Sequence, residues 1–279
     1  MIPDSKTNFL YLADTLPKKY PKFFKEFDNV SKDCGISYKL LSNTKDVWAV
    51  DYMPIQIDKN NFIQFVYNPD YLRDTIKWTK TISDVDRICS SISLSPRKSN
   101  ILLEGGNIIK ATDNVIMCDK IFIENPTIKE HELINELQNL FQIDKLIFIP
   151  TNTFDFTGHA DGMVRFYDDN TVIINDYSKE DINFQLRFRL ALHNAGLKYI
   201  EIPYNPYSNK KDEHANGIYI NYLQMRQAIV VPIFGIKDDE AVVKLFEQLF
   251  AGQKIATVDG NELAYNGEIL NCITWNIYK

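Results

Sequence analysis

The stretch Thr157-Gly158-His159-Ala160-Asp161-Gly162-Met163-Val164-Arg165-Phe166 sets an imidazole two residues from a carboxylate. A turn-forming glycine stands ahead of the pair, and an apolar, strand-like run follows it. Far away in sequence lies Cys272, in Glu268-Ile269-Leu270-Asn271-Cys272-Ile273-Thr274. A cysteine with a distant histidine and carboxylates is the raw material of thiol nucleophilic catalysis. Two further segments contribute acids. Asp51 interrupts the apolar run Asp46–Pro54, beside Tyr52 and close to Trp48. Glu104 ends an apolar strand and is followed by Gly105 and Gly106, residues that let backbone approach a ligand closely. Each residue also has a plainer reading. Asp51 fits a surface turn ahead of Pro54, Glu104 a solvated turn, and His159 a structural histidine whose tautomer Asp161 fixes. Arg165 fits a neutraliser of buried carboxylate, and Cys272 an inert thiol behind a core strand at Ile269-Leu270. Cys34 reads as a helix end, and Cys89 and Cys118 read as packing residues.

Composition narrows the classes. The chain has 279 residues, 45% of them apolar and 24% charged, which is ordinary for a globular protein and ample for a core. The formal net charge of −6, with Lys and Arg dispersed, argues against nucleic-acid binding and suits a small cationic substrate. The four cysteines form no C-x-x-C pair, and the four histidines (His131, His159, His193, His214) fall at no zinc-ligand spacing. So Cys-poor a chain suits a reducing compartment. No basic-then-apolar leader is visible, and the longest apolar runs, Lys145–Pro150 and Ala228–Phe234, are far short of a membrane span. The expectation is a cytoplasmic protein with no membrane partner.

The elements that must position these residues recur as a unit: a helical pattern, a short break, then an apolar strand. Helices are predicted over Pro21–Cys34, Ile128–Phe141, Ile182–Ala195 and Asp238–Phe250, with a weaker copy at Ser83–Ser90. The strands after the four clear copies are Ser37–Leu41, Leu146–Ile149, Lys198–Ile202 and Lys254–Val258. Further strands are predicted at Phe62–Tyr67, Asn100–Leu103, Val115–Met117, Val172–Ile174, Gly217–Tyr222 and Ala228–Val231. This repetition argues for α/β architecture with internal pseudosymmetry. No linker divides the chain, so residues 1–279 are expected to form one domain.

Taken together, the chemical segments resemble the agmatine deiminases and Porphyromonas-type peptidylarginine deiminases of the guanidino-group modifying superfamily. The resemblance covers nearly the whole chain, in the family's motif order. Trp48, Asp51 and Pro54 match its Trp-x-Arg-Asp-x-x-Pro element, and Glu104-Gly105-Gly106 its acid-Gly-Gly element. Gly158, His159, Asp161, Arg165 and Phe166 match Gly-His-x-Asp and its apolar-Arg-Phe strand. Tyr219, Asn221 and Pro232 match a Tyr-x-Asn segment, and Cys272-Ile273-Thr274 the terminal Cys-Ile-Thr. Val50 departs from the family's Arg, and the segment before Cys272 departs from its Gly-rich turn and His.

The resemblance implies a pentein-like, pseudo-fivefold α/β propeller of ββαβ-type units around a central site. It also implies hydrolytic deimination of a guanidine to a ureido product and ammonia, through a covalent thiouronium on Cys272. Cys272, His159, Asp51 and Asp161 would be catalytic, and Glu104, Asn221 and Trp48 would bind substrate. A guanidinium is a planar, delocalised cation that carboxylates clamp well. Asp51 and Asp161 would form the clamp, and His159, titrating near neutrality, would protonate ammonia and then activate water. No metal or organic cofactor is implied, and a homodimer is one oligomeric arrangement left open. Agmatine would place the enzyme in putrescine synthesis. Peptidylarginine is an alternative, for which Arg73, Lys210, Lys211 and Arg226 offer carboxylate clamps. An amidinotransferase using the same Cys, or a non-catalytic guanidine binder, are the others. The polar segment Tyr204–Asn216 reads as a rim, a lid or a plain connection.

Overall fold

A computed structural model describes residues 1–72, 79–152, 155, 157–211, 214–267 and 269–279. Among the described residues, fifteen strands form five three-stranded sheets of one design. Phe9–Ala13 (β1) pairs in parallel with Tyr38–Leu41 (β2), joined by helix α1 (Pro21–Asp33). Ile55–Gln56 (β3) pairs antiparallel with Phe62–Val66 (β4), which runs through α2 (Val85–Ser91) to the parallel Arg97–Leu102 (β5). Ile109–Lys110 (β6), Asn114–Cys118 (β7), α3 (Glu130–Phe141) and Lys145–Ile149 (β8) repeat the unit. So do Val164–Asp168 (β9), Thr171–Asn175 (β10), α4 (Ile182–Asn194) and Lys198–Ile202 (β11). Leu223–Gln224 (β12), Ala228–Ile233 (β13), α5 (Asp239–Leu249) and Lys254–Asp259 (β14) make the last. The final strand, Thr274–Ile277 (β15), returns to pair antiparallel with β1 and completes the first sheet. The result is the expected pseudo-fivefold propeller, closed by the two ends of the chain.

The sequence builds this directly. Parallel pairing needs a crossover of about a dozen residues or more, usually a helix, and each helix lies between the second and third strands of its blade. Middle strands are buried on both faces, so they read as continuous apolar runs: β10 is Thr-Val-Ile-Ile-Asn and β13 is Ala-Ile-Val-Val-Pro-Ile. Helices bury one stripe, such as Leu133, Leu137 and Leu140 of α3, or Val242 and Phe246 of α5. Their boundaries fall within two residues of those predicted, and Cys34 caps α1 as expected. The weak copy at Ser83–Ser90 is α2, capped by Asp84, which accepts a bond from the Arg87 N–H.

Two expected strands are absent. Gly217–Tyr222 is an irregular segment with one isolated bridge, Ile218 to Tyr204, and pairing resumes only at β12. Gly217 has φ +87°, and a Cβ there would lie 2.4 Å from the Asn205 carbonyl oxygen. Tyr219, Ile220 and Tyr222 are fully buried nonetheless, so an apolar run marked burial and not extended pairing. Ile269-Leu270 likewise is buried in a turn, and the strand beyond Cys272 begins at Thr274. Strands β3, β6 and β12 are two residues long, too short to leave a period in the sequence.

First strands of the blades surround the axis. Gln56, Lys110, Arg165 and Asn276, from four of them, line the small cavity there, and Asp4 enters from the N-terminal turn. Its carboxylate pairs with Lys110 at 3.0 Å and with Arg165 at 2.7 Å. Among the described residues no helix is long and apolar enough to cross a membrane.

Candidate active site

Five connections lead from the third strand of one blade to the first strand of the next, and each delivers one part of the site. The β2–β3 connection carries Trp48 and Asp51, β5–β6 carries Glu104, and β8–β9 carries His159 and Asp161. The β11–β12 connection carries Asn221, and β14–β15 carries Cys272. Trp48, Asp51, His159, Asp161, Asn221 and Cys272 line one cleft of about 620 Å³.

Cys272 is half-buried, and its thiol faces Asp161 Oδ2 at 3.7 Å and Asn221 Oδ1 at 3.5 Å. Asn221 Oδ1 also accepts from the backbone N–H groups of Asn271 at 2.9 Å and Cys272 at 3.3 Å, so one amide fixes the loop that carries the thiol. Asn271 Nδ2 donates to Asp161 Oδ2 at 2.7 Å. His159 Nδ1 lies 3.6 Å from Asp51 Oδ1, and its Nε2 is hydrogen-bonded to Glu104 Oε2.

The acid-Gly-Gly turn explains itself here. The Gly106 N–H donates to Asp51 Oδ1 at 2.8 Å. A Cβ on Gly106 would lie 2.6 Å from His159 Nδ1 and 2.7 Å from Asp51 Oδ1. On Gly105 it would lie 1.9 Å from the Val50 carbonyl oxygen. Val50 itself lines the small cavity around Asp4 and Arg165 and is absent from the cleft wall. Arg165 belongs to that far side as well, neutralising the carboxylate of Asp4.

Burial and like charge set the titrations. Burial, then Asp161 and Asp51, push the Cys272 thiol well above its ordinary value. Burial raises Asp51 to about 7, with Asp161 and Glu104 adding to it against the pull of His159. Asp161 is raised by burial, with His159 and the amide of Asn271 opposing. Burial alone would raise Glu104 too, but the His159 charge and hydrogen bond bring it below the usual carboxylate range. For His159 burial alone would lower the value, and Asp51 and Glu104 outweigh it, to about 10. This corrects the expectation of a histidine titrating near neutrality: two carboxylates in contact hold the imidazolium form.

Other residues fall differently from expectation. Glu104 stands behind the imidazole rather than on the cleft wall, so its contact is with His159 and the Tyr71 hydroxyl, at 3.3 Å for the latter. Of the expected carboxylate clamps, Lys211 lines the cleft, Lys210 and Arg226 do not, and Arg73 lies outside the described residues. Much of the Tyr204–Asn216 segment forms a cleft wall, through Tyr204, Pro206, Tyr207, Asn209 and His214. Asn271, Tyr71 and Asp155 were not singled out from the sequence. Adjacency to Cys272 was the available signal for Asn271. Tyr71, which meets the rings of Trp48 and His159 edge-on at 6.4 Å each, left none. Among the described residues no group of His, Cys, Asp and Glu is arranged to hold a metal ion.

The sequence matches the model of the Porphyromonas-type peptidyl-arginine deiminase family over residues 24–277. The chain belongs to this family. A relative from Mycoplasma mycoides is 20% identical over 229 residues, a match covering 71% of this chain and 63% of that one. The agmatine deiminase of Pseudomonas aeruginosa is 21% identical over 211 residues, covering 64% and 57%. The chain thus spans less than two thirds of the length of these relatives. Among solved structures, the agmatine deiminase of C. jejuni superposes with TM-score 0.81 at 19% identity, covering 100% of this chain and 95% of that one. The P. aeruginosa DDAH, a more distant pentein, gives 0.58 at 11%, covering 97% and 99%. These likenesses establish the pentein fold for this deiminase-family chain.

Proposed function

We propose that the protein is a guanidine deiminase whose nucleophile is Cys272. The observation that carries this is the convergence of a thiol, an imidazolium and two cleft-lining carboxylates from three connections onto one cleft. In the empty site the thiol is held protonated by its acidic surroundings. A guanidinium seated between Asp51 and Asp161 offsets those charges, so substrate itself favours the thiolate, the thiol proton leaving to solvent through the cleft. The sulfur attacks the central carbon. His159, already protonated, gives its proton to the departing nitrogen, and ammonia leaves. The neutral imidazole then takes a proton from water, whose oxygen adds to the thiouronium carbon. The carbon–sulfur bond breaks, the hydroxyl proton passes to sulfur, and the ureido product is released. Asn221 and Asn271 keep sulfur and Asp161 in register.

The cleft favours a small guanidine with a second cation, agmatine being the simplest. Asp155 lines the wall, with Oδ1 taken by the Thr157 N–H at 2.9 Å and hydroxyl at 2.7 Å. Its Oδ2 has no partner among the described residues and can accept an ammonium. A C. jejuni agmatine deiminase with its cysteine changed to serine has been solved with substrate bound, in keeping with this reading. The test is a screen of agmatine, free arginine and peptidylarginine for ammonia and ureido product. Agmatine should turn over fastest, Cys272→Ala should abolish release from all three, and Asp155→Asn should raise KM for agmatine. Unchanged turnover in Cys272→Ala would remove the nucleophile.

A further inference from the structure

Lys120 is a buried ammonium with no part in the chemistry proposed for Cys272 and His159. It begins the short helix Lys120–Glu124 that follows β7, and its side chain is 10% exposed. Burying an ammonium is costly unless it is paired and hydrogen-bonded, so its partners show what it holds. Nζ donates to the Thr157 carbonyl at 2.6 Å and lies 3.1 Å from Glu124 Oε1 and 3.9 Å from Asp70 Oδ1. It also stands 5.9 Å from the centre of the Tyr71 ring, within cation–π reach. Burial alone would lower Lys120, but Glu104, Glu124 and Asp70 raise it overall, so the group stays charged.

Two routes lead from this ammonium to the imidazole. The first is the backbone. Thr157 stands two residues before His159, and its hydroxyl accepts from the His159 N–H at 3.4 Å. Between them Gly158 has φ +62°, and a Cβ there would lie 2.7 Å from Thr151 Cγ2 and 3.3 Å from Lys120 Cδ. The turn therefore closes directly over the lysine stem. The second route is through side chains. The Tyr71 ring meets His159 edge-on, and its hydroxyl donates to Glu104 Oε2, the oxygen bonded to His159 Nε2. The start of the helix has its own closure. The Thr151 hydroxyl donates to Asp119 Oδ1 at 2.7 Å and accepts from the Lys120 N–H at 3.1 Å. The Lys120 backbone is thus fixed without help from its ammonium.

We propose that Lys120 is a positioning residue for His159, holding the Thr157–His159 turn and the Tyr71 ring so that the imidazole faces the departing nitrogen. This rests on the deiminase reading, in which His159 gives up a proton. Charge adds to position. Asp51, Asp161, Glu104 and Tyr71 surround His159, and Glu104, Glu124, Asp70 and Tyr71 surround Lys120. For His159, burial and Lys120 lower the value, and Asp51 and Glu104 raise it. Without the lysine charge the imidazolium is a weaker acid and yields its proton less readily.

Steady-state kinetics of Lys120→Met with agmatine test this. Its kcat should fall about tenfold or more, part of the hundredfold or more that a positioned acid supplies. KM should change little, because Asp51 and Asp161 stay in place. The alkaline limb of kcat/KM should move above that of the wild type. Lys120→Arg, which keeps the charge, should return the limb to the wild-type position. Lys120→Met/Glu124→Gln leaves no unpaired carboxylate, should behave as Lys120→Met does, and carries the test if the single variant does not fold. Wild-type kcat in a folded variant, or a lower kcat with an unmoved limb, would overturn the proposal. Cys272→Ala, assayed alongside, separates the two readings. If it is inactive while Lys120→Met is as active as wild type, only the role of Lys120 falls. If Cys272→Ala turns over, the deiminase reading fails and this inference with it.

Discussion

Cys272, the proposed nucleophile, is held as a thiol by its neighbours. Burial and the carboxylates of Asp161 and Asp51 raise its thiol, and a bound cation is the natural release. Labelling should therefore depend on probe charge. A cationic haloacetamidine should modify Cys272 faster than a neutral haloacetamide does, and faster than it modifies Cys34, Cys89 or Cys118. Equal rates with both probes would show that the site lends no charge selectivity. The same groups shape the pH profile. In the proposed mechanism an ionised Asp51 holds the cation, so kcat/KM should rise through about pH 7. There a protonated His159 releases ammonia, so kcat/KM should fall through about pH 10. Full activity well below the first value would argue against the role given to Asp51.

The acid-Gly-Gly turn shows how an element serves two ends. Gly105 faces backbone and Gly106 faces side chains, so the two glycines should fail differently. In Gly105→Ala the new Cβ meets the Val50 carbonyl, which cannot swing aside, and the thermal midpoint should drop. In Gly106→Ala the contacts are His159 Nδ1 and Asp51 Oδ1, which can shift. That variant should fold and lose about a hundredfold in kcat/KM, the scale of a misplaced catalytic group. Equal loss of stability in both variants, measured by thermal unfolding, would contradict the distinction. The irregular Gly217–Tyr222 segment is held in an analogous way. Asp239 at the start of α5 accepts from the Tyr219 hydroxyl at 2.6 Å and the Gly235 N–H at 2.7 Å, and so indirectly places Asn221.

At the scale of the whole molecule the axis has two ends of opposite character. One is the cleft, where His159 sits among the carboxylates of Asp51, Asp161 and Glu104. The other is closed by Asp4 between Lys110 and Arg165. Asp4→Ala leaves Arg165 buried without its carboxylate and should cost about 3 kcal/mol or more in denaturant unfolding, with turnover little changed because Asp4 lies outside the cleft. The two ends also give stability opposite pH dependences. Burial would raise Asp4, but Lys110 and Arg165 lower it below 3.8 overall. Its contribution is full above that value and fades as pH falls through the lowered one. The raised His159 contributes fully below 6.5 and loses its contribution as pH climbs to about 10. Unfolding curves that ignored both limits would contradict these assignments.

Much was legible in the chain alone because it is local. Apolar spacing reported which helix face is buried, continuous apolar runs reported the middle strands, and residue types around His159, Glu104, Asp51 and Cys272 reported a family resemblance. At Gly217–Tyr222 the expected strand is absent although Tyr219, Ile220 and Tyr222 are buried: an apolar run records what is hidden from water, not which hydrogen bonds it makes. Three things needed the folded chain. Closure of β15 on β1 brings five connections to one axis. Asn271 and Tyr71 matter through partners distant in sequence, Asp161 and Glu104. The charge on His159 depends on Asp51 and Glu104, which no spacing places beside it. Electrostatic interactions act through distance in space, and only the tertiary structure sets that distance.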